Sequence, residues 1–137
     1  MDNITIRECG QYDEVQILPL YKSVGWHAYC VPKAMEQGFA ASLCTLGAYD
    51  QNELVGLLRL VGDGITVVLI QDILVRPEYQ RRGVGRRLIA SLLSRYAHVR
   101  QIYVLTDDLT ETVGFYKAVG FTPVETAHYR AFTRLRP

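Results

Sequence analysis

The sequence predicts an α+β domain with α/β/α layers, in which an antiparallel meander of strands leads into a parallel strand–helix–strand unit. Three apolar runs follow one another between residues 42 and 75, separated by turn residues, which is typical of a meander. An amphipathic run over 83–96 separates the third of them from another apolar run at 101–106. A crossover of this length makes the two flanking strands parallel and the connection right-handed. We therefore expect helices on both faces of a mixed sheet.

The first half of the chain is expected to supply four strands and two helices. Residues 3–7 alternate polar and apolar side chains and predict the first strand. A helix follows over 12–24, which Pro19 should interrupt or kink, and a second covers 33–41. The meander strands are predicted at 42–49, 53–61 and 65–75, joined by turns at 50–52 and 62–64. Because the last of these runs is almost continuously apolar, we expect it to be buried on both faces.

The second half begins with the amphipathic helix and ends with two further strands. Its helical stripe consists of Val84, Leu88, Ile89, Leu92, Leu93 and Tyr96. Asp107 or Asp108 is expected to cap a later helix that runs to Val119, where Gly120 suits the left-handed position after the helix. Strands at 121–126 and 129–135 complete a sheet of about seven strands, with about four helices in all.

Length and composition favour one soluble domain spanning residues 1–137, which is long enough to bury a core without disulfides or metal. Lys and Arg number 15 against 14 Asp and Glu, and this balance argues against a protein that coats nucleic acid. No apolar run approaches the ~20 residues of a membrane span, and the first residues lack the pattern of a secretory signal. Three separated cysteines suit a reducing compartment. We predict a cytoplasmic protein with no metal site, nucleic-acid partner or membrane attachment.

Positive charge nevertheless gathers in one stretch, Val75–Leu88, which holds five arginines and two glycines. It is compatible with a nucleic-acid surface, a pocket for one small polyanion, or a solvated helix start. A helix beginning at Gly83 presents unpaired N–H groups and the positive end of its dipole, which favour a phosphate group. Gly83 and Gly85 allow a ligand to approach the backbone. Four side chains are placed to flank a bound diphosphate with charge-assisted hydrogen bonds: Gln80, Arg81, Arg82 and Arg86.

Two familiar glycine motifs do not account for this stretch. A dinucleotide-binding fingerprint requires a third glycine where Leu88 stands, and no phosphate-binding P-loop pattern occurs in the chain. Asp72-Ile-Leu-Val-Arg-Pro77 followed by Gln80-Arg-Arg-Gly-Val-Gly85 instead resembles the acetyl-CoA-binding motif (Gln/Arg)-x-x-Gly-x-(Gly/Ala) of the GNAT acetyltransferases. Phe115-Tyr-Lys-Ala-Val-Gly-Phe121 is similar to the Phe-Tyr-x-x-x-Gly-Phe signature of the same family. The resemblance extends from about Ala48 to Phe132.

This resemblance implies the GNAT fold, in which the strand ending at Val75 splays from its parallel neighbour at 101–106. The pantetheine arm of acetyl-CoA would lie in that gap like an added strand, paired with backbone groups of Ile73 and Val75. The N–H groups of residues 81–86 would hold the pyrophosphate. The coenzyme-binding residues implied in this way are Ile73, Leu74, Val75, Gln80, Arg81, Arg82, Gly83, Val84, Gly85, Arg86 and Tyr116.

Acetyl transfer from a thioester to an amine requires an unprotonated amine, a stabilised oxyanion and a protonated leaving group. By resemblance, the Ile73 N–H at the family's β-bulge position would stabilise the oxyanion, and Tyr116 would be the acid near the CoA sulfur. The alternative for Tyr116 is a core aromatic residue. Asp72 lies in an otherwise apolar strand, where an unpaired carboxylate is costly. It is either the base or an anchor for the amine, or else a structural carboxylate paired with an arginine or a backbone N–H.

The aromatic loop Gly25–Pro32 is the predicted wall of the acceptor site, because the family builds that wall from the first helices and their loop. Trp26 and Tyr29 are candidates to stack on an aromatic substrate or to hold an ammonium group by cation–π attraction. His27 is a second candidate base. For all three residues, packing of the loop is the alternative.

We therefore predict an N-acetyltransferase that moves the acetyl group of acetyl-CoA to a primary amine, most simply that of a small molecule. Direct attack in a ternary complex is expected because no serine lies in a Gly-x-Ser-x-Gly elbow. A silent acetyl-CoA sensor and an enzyme that acetylates a protein amine are the alternatives. A nucleic-acid binder is disfavoured by the neutral charge, and a homodimer is compatible with the predicted edge strands.

Overall fold

The computed structural model describes residues 3–136. Residues up to Leu105 form one compact unit and residues from Thr106 onward form a second. A single domain over the whole chain stays a prediction. The strands are β1 (Ile4–Glu8), β2 (Cys44–Asp50), β3 (Glu53–Gly62), β4 (Val67–Val75) and β5 (Gln101–Val104). The helices are α1 (Glu14–Ser23), α2 (Pro32–Ala40), α3 (Val84–Arg95) and α4 (Thr110–Ala118).

The sheet of the first unit has the order β1-β2-β3-β4-β5. Its first three pairings are antiparallel and the last, between β4 and β5, is parallel. The predicted meander and the parallel strand–helix–strand unit are thus confirmed, and so is the α+β class. The turn between β2 and β3 is tight, and Gln51 adopts a left-handed conformation there (φ 56°).

The expectation of about seven strands is wrong: the sheet among the described residues has five, and the two strands predicted at 121–126 and 129–135 do not form. The run 121–126 contains the start of a short 3₁₀ turn, Val124–Ala127, and residues 129–136 form neither helix nor strand. His128, between the two runs, has a left-handed backbone (φ 64°). Alternating apolar residues give only a propensity, and a strand forms when it has a partner; none of the described strands pairs with this segment.

Helices cover both faces of the sheet in the first unit. Ile17, Leu20 and Tyr21 of α1 and Met35 of α2 share one core cluster with side chains of β3 and β4 that include Leu57. The adjacent Gly56 points the other way, and a Cβ at that position would lie 3.2 Å from Val84 of α3. Helix α1 continues through the exposed Pro19, which therefore does not end it. On α3 the predicted stripe is buried except for Leu93, which is exposed, and Tyr96, which is half-buried.

The second unit contains α4, whose start differs from the prediction. Leu109 occupies the capping position, and neither Asp107 nor Asp108 caps the helix with its side chain. The Asp107 carboxylate instead accepts a hydrogen bond from the Leu109 N–H (3.1 Å), which orders the chain just before the helix. Gly120 has the expected left-handed backbone (φ 100°) after the helix ends.

Candidate active site

A cleft of about 220 Å³ opens on the face of the sheet that α1 and α2 cover. Its walls are mainly apolar and aromatic, because the loop before α2 and one side of α2 contribute Tyr29, Val31, Met35 and Phe39. Three polar side chains from different elements complete it: Tyr21, Arg59 and Asp72. An apolar cleft with a few convergent polar groups is the usual form of a small-molecule site.

The polar floor of the cleft is a buried ion pair. Asp72 is only 5% exposed, and its Oδ2 accepts one hydrogen bond from Arg59 Nε and one from the Tyr21 hydroxyl, both at 2.8 Å. Burial, followed by the charge of the Asp72 carboxylate, raises the pKa of Tyr21, so its phenol stays protonated and donates. Of the two roles predicted for Asp72, the structure contains the carboxylate paired with an arginine.

Arg59 is held on several sides. Its Nη1 donates to Ser42 Oγ (3.1 Å) and lies 3.5 Å from the carbonyl oxygen of Gly38, and its guanidinium faces the Phe39 ring at 5.4 Å. Two atoms of the pair remain unused: Asp72 Oδ1 and Arg59 Nη2 make no hydrogen bond within residues 3–136. Neither is sealed from solvent, since the one sealed side-chain polar atom without a partner in that range is the Tyr12 hydroxyl.

Strand β4 contains a β-bulge beside this pair. Asp72 pairs with Arg59 of β3, yet the neighbouring Leu60 pairs with Ile70, so Gln71 is an extra residue without a partner. Side chains change faces there: Ile70 lies opposite Leu60 on the α3 side, whereas Asp72 lies opposite Arg59 on the cleft side. The expected burial of β4 on both faces is therefore replaced by alternation, with Val67, Leu69, Ile73 and Val75 half-buried and Gln71 exposed.

Beyond the bulge, β4 has an edge that β5 does not pair. The parallel pairing ends at Ile70 and Val104, whereas β4 continues to Val75. Arg76 N donates to Val55 O (2.8 Å), and antiparallel hydrogen-bonded pairs alternate, so the N–H and C=O groups of Ile73 and Val75 point away from β3. Gln80 Nε2 donates to the Val75 carbonyl (2.9 Å) from that side.

Leu74 differs from its two neighbours in this respect. By the same alternation its backbone groups point to β3, and its side chain lies in the core shared with α1. The backbone groups of Leu74 therefore do not face this edge, and its part in coenzyme binding stays a prediction.

Helix α3 is the next α-helix after β4 in the chain, and a turn that contains Gly83 precedes it. Gly83 has a left-handed backbone (φ 79°), and no atom lies within 4 Å of the position that a Cβ would take. The first helical bond runs from Arg87 N to Gly83 O (3.0 Å), so the N–H groups of Val84, Gly85 and Arg86 have no partner within the helix. With Arg81 also in a left-handed conformation (φ 63°), this turn can accept an anion.

The side chains around this turn are mostly solvent-exposed. Arg81, Arg82 and Arg86 are exposed, and the Arg82 guanidinium lies over the Tyr79 ring at 5.1 Å. The Val84 side chain is buried against the sheet, so only its backbone N–H is available at this end of the helix. Exposed arginine side chains can reorient when a phosphate binds, and the guanidinium group matches the geometry of phosphate oxygens.

The aromatic loop contributes to the cleft unequally. Tyr29 is 54% exposed and lines the cleft. Trp26 packs against Tyr21 and Tyr29, with ring centroids 5.9 and 5.7 Å apart, so packing is the role that the structure shows for it. His27 is exposed and is not among the cleft residues.

Comparison with known proteins gives the family. The model of the acetyltransferase (GNAT) domain matches residues 10–137. The chain belongs to the GNAT acetyltransferase family. A GNAT family acetyltransferase of Streptococcus pneumoniae TIGR4 has the same fold with a TM-score of 0.87 and 34% identity, over 97% of this chain and 98% of the other. The family uses acetyl-CoA as co-substrate, and acetyl transfer is its general activity.

A curated relative and a further solved structure are also similar to the chain. An uncharacterized N-acetyltransferase of Gracilaria tenuistipitata var. liui is 32% identical over 111 residues, or 74% of this chain and 58% of the relative. The chain spans between 38% and 63% of the length of the first curated relatives that it matches. AAC(6′)-Iy in complex with the bisubstrate analogue CoA-S-monomethyl-acetylneamine has a TM-score of 0.76 at 20% identity, over 98% and 99% of the two chains, which shows the fold alone.

The second GNAT signature lies in the second unit. Tyr116 is buried, and its ring packs edge-to-face against Phe115 (5.1 Å) and Phe121 (5.9 Å). Burial, with a smaller effect of the Asp107 charge, raises the pKa of Tyr116 to about 12. Its phenol is therefore protonated at neutral pH and is able to donate a hydrogen bond.

Sequence reasoning missed the residues that surround Asp72. Tyr21 and Phe39 fall within predicted helices and Arg59 within a predicted strand, and the sequence alone gives none of them a role in a site. One signal is present: Arg59 is the one charge within 54–61 and Asp72 the one charge within 65–75, so an antiparallel register of these two apolar runs can pair them.

Two further properties concern metal and membrane. Residues 3–136 contain no group of three or more His, Cys, Asp and Glu side chains arranged to hold a metal ion. In the same range, none of the helices combines the length and apolar character required to cross a membrane.

Proposed function

We propose that this chain transfers the acetyl group of acetyl-CoA to the primary amine of a small molecule, by direct attack in a ternary complex. The observation that carries the proposal is the β4 edge beyond the bulge, where Ile73 and Val75 direct backbone donors and acceptors away from β3. An extended amide-containing chain can pair with such an edge as a further strand does. The pantetheine arm of acetyl-CoA is a chain of this kind.

The diphosphate of the coenzyme fits the start of α3. Gly83 leaves the backbone accessible, and the free N–H groups of Val84, Gly85 and Arg86 supply donors at the positive end of the helix dipole. Arg81, Arg82 and Arg86 are the side chains that would neutralise the charge. Gln80 holds the Val75 carbonyl, so we assign it to the junction between the strand edge and this turn.

Acetyl-CoA supplies the acetyl group: a C–N bond forms as the C–S bond breaks, and the proton that the nitrogen loses is balanced by the one that the sulfur gains. The Ile73 N–H is assigned to the thioester carbonyl oxygen, where a fixed donor is most effective. Tyr116 is assigned as the proton donor, which its protonated phenol supports. Asp72 is assigned to positioning the amine through Oδ1, because its Oδ2 is already shared by Arg59 and Tyr21. Tyr29 is assigned to the acceptor wall.

The test of this proposal is a glycine substitution with a matched control. Gly83→Glu puts bulk and negative charge where the diphosphate would bind, and we expect acetyl-CoA affinity to fall by about tenfold or more in isothermal titration calorimetry. Gly10→Glu is the control, because Gly10 is also left-handed (φ 72°), exposed and free of neighbours within 4 Å. Both variants carry the same backbone strain and charge. Equal affinities in the two variants would remove the coenzyme from this turn.

A second measurement separates an enzyme from a silent sensor. Release of free thiol from acetyl-CoA over a panel of amines reports turnover, whereas calorimetry reports binding alone. Binding without thiol release on any amine or peptide would favour the sensor, and release only with peptides would favour a protein acceptor. A homodimer and a cytoplasmic location remain predictions.

A further inference from the structure

The two unpaired atoms of the buried ion pair indicate which functional groups the acetyl acceptor should have. Asp72 Oδ1 is a free hydrogen-bond acceptor and Arg59 Nη2 a free donor group within residues 3–136, and both residues line the cleft. They lie side by side, since the other oxygen of Asp72 and the Nε of Arg59 are 2.8 Å apart. A bound molecule satisfies both atoms most strongly when it brings one cationic donor and one anionic acceptor close together, because hydrogen bonds between charged groups are the strong ones. Leaving either atom unpaired beneath a bound molecule is costly.

The charge of the cleft excludes one class of acceptor. Arg59 already neutralises Asp72, and no other acidic side chain lines the cleft within the described residues. A polycationic amine, such as a polyamine or an aminoglycoside, would therefore place its additional positive charges without partners beside Arg59. A simple monoamine satisfies Asp72 but leaves Arg59 Nη2 without an acceptor. A zwitterion satisfies both.

The volume and the lining residues of the cleft indicate what the rest of the acceptor molecule is. A dry cavity of about 150 Å³ holds a benzene ring, so the cleft of about 220 Å³ has room for a ring or branched alkyl group and a short polar end. Tyr29, Val31, Met35 and Phe39 supply the apolar surface for that group. Drug-sized ligands usually occupy larger sites.

Resting on the proposed function, we infer that the acceptor is an apolar or aromatic α-amino acid, whose ammonium group binds Asp72 Oδ1 and whose carboxylate binds Arg59 Nη2. The side chain of the amino acid packs against the aromatic wall. The α-nitrogen loses two of its three protons. One goes to solvent before attack; the other leaves as the C–N bond to the acetyl carbon forms and the C–S bond breaks, and it is balanced by the proton that the CoA sulfur gains. Arg59 is a specificity-determining residue in this arrangement.

The test compares ligands that differ in one group. L-phenylalanine and 2-phenylethylamine differ only in the carboxylate, and spermidine represents the polycations. With the wild-type protein we expect kcat/KM from thiol release to favour L-phenylalanine over 2-phenylethylamine by about tenfold or more, since the carboxylate gains a charge-assisted hydrogen bond. Calorimetric titration of both ligands into the protein with CoA should give the same order.

Arg59→Lys keeps a positive charge beside Asp72 but removes the second terminal nitrogen. We expect it to reduce the preference to within about threefold, through KM for L-phenylalanine and not through kcat. Arg95→Lys is the matched control, because Arg95 forms an ion pair with Glu8 (3.4 Å) and is not among the cleft residues; it should keep the preference.

Each outcome decides one question. If acetyl-CoA binds and 2-phenylethylamine or spermidine is preferred in turnover and titration, the acceptor class is wrong and the proposed function stands. If L-phenylalanine neither binds nor reacts while other amines release thiol, the same conclusion holds. If acetyl-CoA does not bind, the proposed function itself fails. Should Arg59→Lys be unable to fold, the ligand comparison on the wild-type protein still decides the inference.

Discussion

The buried ion pair at the floor of the cleft makes a quantitative prediction about stability. Arg59→Met removes the partner of a carboxylate that is 5% exposed, together with the hydrogen bond to Ser42 and the contact with Phe39. Breaking a buried pair from one side costs about 3–5 kcal/mol. Because the Arg59 side chain is 16% exposed and Tyr21 still donates to Asp72, we expect a cost near the lower end, about 3 kcal/mol.

Asp72→Leu removes the other member of the same ion pair. It leaves the Arg59 guanidinium and the Tyr21 hydroxyl without their shared acceptor, and we expect a similar cost of about 3 kcal/mol. The double variant removes both charges. The Tyr21 hydroxyl then loses its acceptor, and Ser42 Oγ loses the Arg59 donor but still donates to the Gly38 carbonyl, so we expect a cost of about 1–2 kcal/mol. Adding Tyr21→Phe removes that group as well and should bring the free energy of unfolding back towards the wild-type value.

The assay is urea unfolding followed by circular dichroism, with the free energy obtained from the midpoint and slope of each transition. The coupling between Arg59 and Asp72 is the difference between the double variant and the sum of the two single variants, and we expect about 4 kcal/mol. Additive costs, with the double variant near 6 kcal/mol, would show that the two side chains stabilise the fold independently. That result would refute the assignment of a coupled pair and the charge balance derived from it.

Three other predictions concern tyrosines. Tyr116→Phe should lower kcat more than it lowers acetyl-CoA affinity, and Tyr129→Phe, in an exposed residue of the same unit, should change neither. The Tyr116 phenol has its pKa raised to about 12, so its contribution to stability is complete below about pH 10 and is lost as the pH rises through about 12. The free energy of unfolding of wild type relative to Tyr116→Phe should therefore fall over that interval, by about 2 kcal/mol in urea titrations; a constant difference would contradict the shift. Tyr12→Phe removes a sealed hydroxyl that has no hydrogen-bond partner among the described residues, and it should leave the free energy of unfolding unchanged or raise it by up to about 1 kcal/mol. A loss of more than about 1 kcal/mol in urea unfolding would reveal a bound water or another partner.

The elements that the sequence predicted correctly are those with a strong local pattern. The meander, the parallel unit and α3 each have a clear apolar period and a clear turn residue, and Gly83 and Gly120 adopt the left-handed backbones that glycine favours. The errors arise where local pattern competes with tertiary context. Residues 129–135 alternate like a strand but have no partner strand among those described. Helix α4 begins at Thr110, and Asp107 accepts a hydrogen bond from the preceding Leu109 N–H without capping the helix.

The cleft was less accessible to sequence reasoning than the turn at 80–86, to which we assign the diphosphate of the coenzyme. That turn is contiguous in the chain, so a motif can represent it. The cleft is assembled from α1, the loop before α2, α2, β3 and β4, and its central contact joins Arg59 to Asp72 across a hairpin. Register determines that contact, and one extra residue in a strand changes every pairing beyond it. No local pattern in the sequence marks Gln71 as that extra residue.

The bulge at Gln71 connects the two halves of the proposed site. A bulge bends its strand and increases the local twist, and the pairing of β4 with β5 ends at the residue before Gln71. The same extra residue lets Ile70 face the α3 core while Asp72 faces the cleft. Asp72 and Ile73 are adjacent, so the carboxylate assigned to the amine and the N–H assigned to the thioester lie on one rigid strand. One irregularity in β4 therefore fixes the acceptor group and the coenzyme edge relative to each other, which is the positioning that a direct transfer requires.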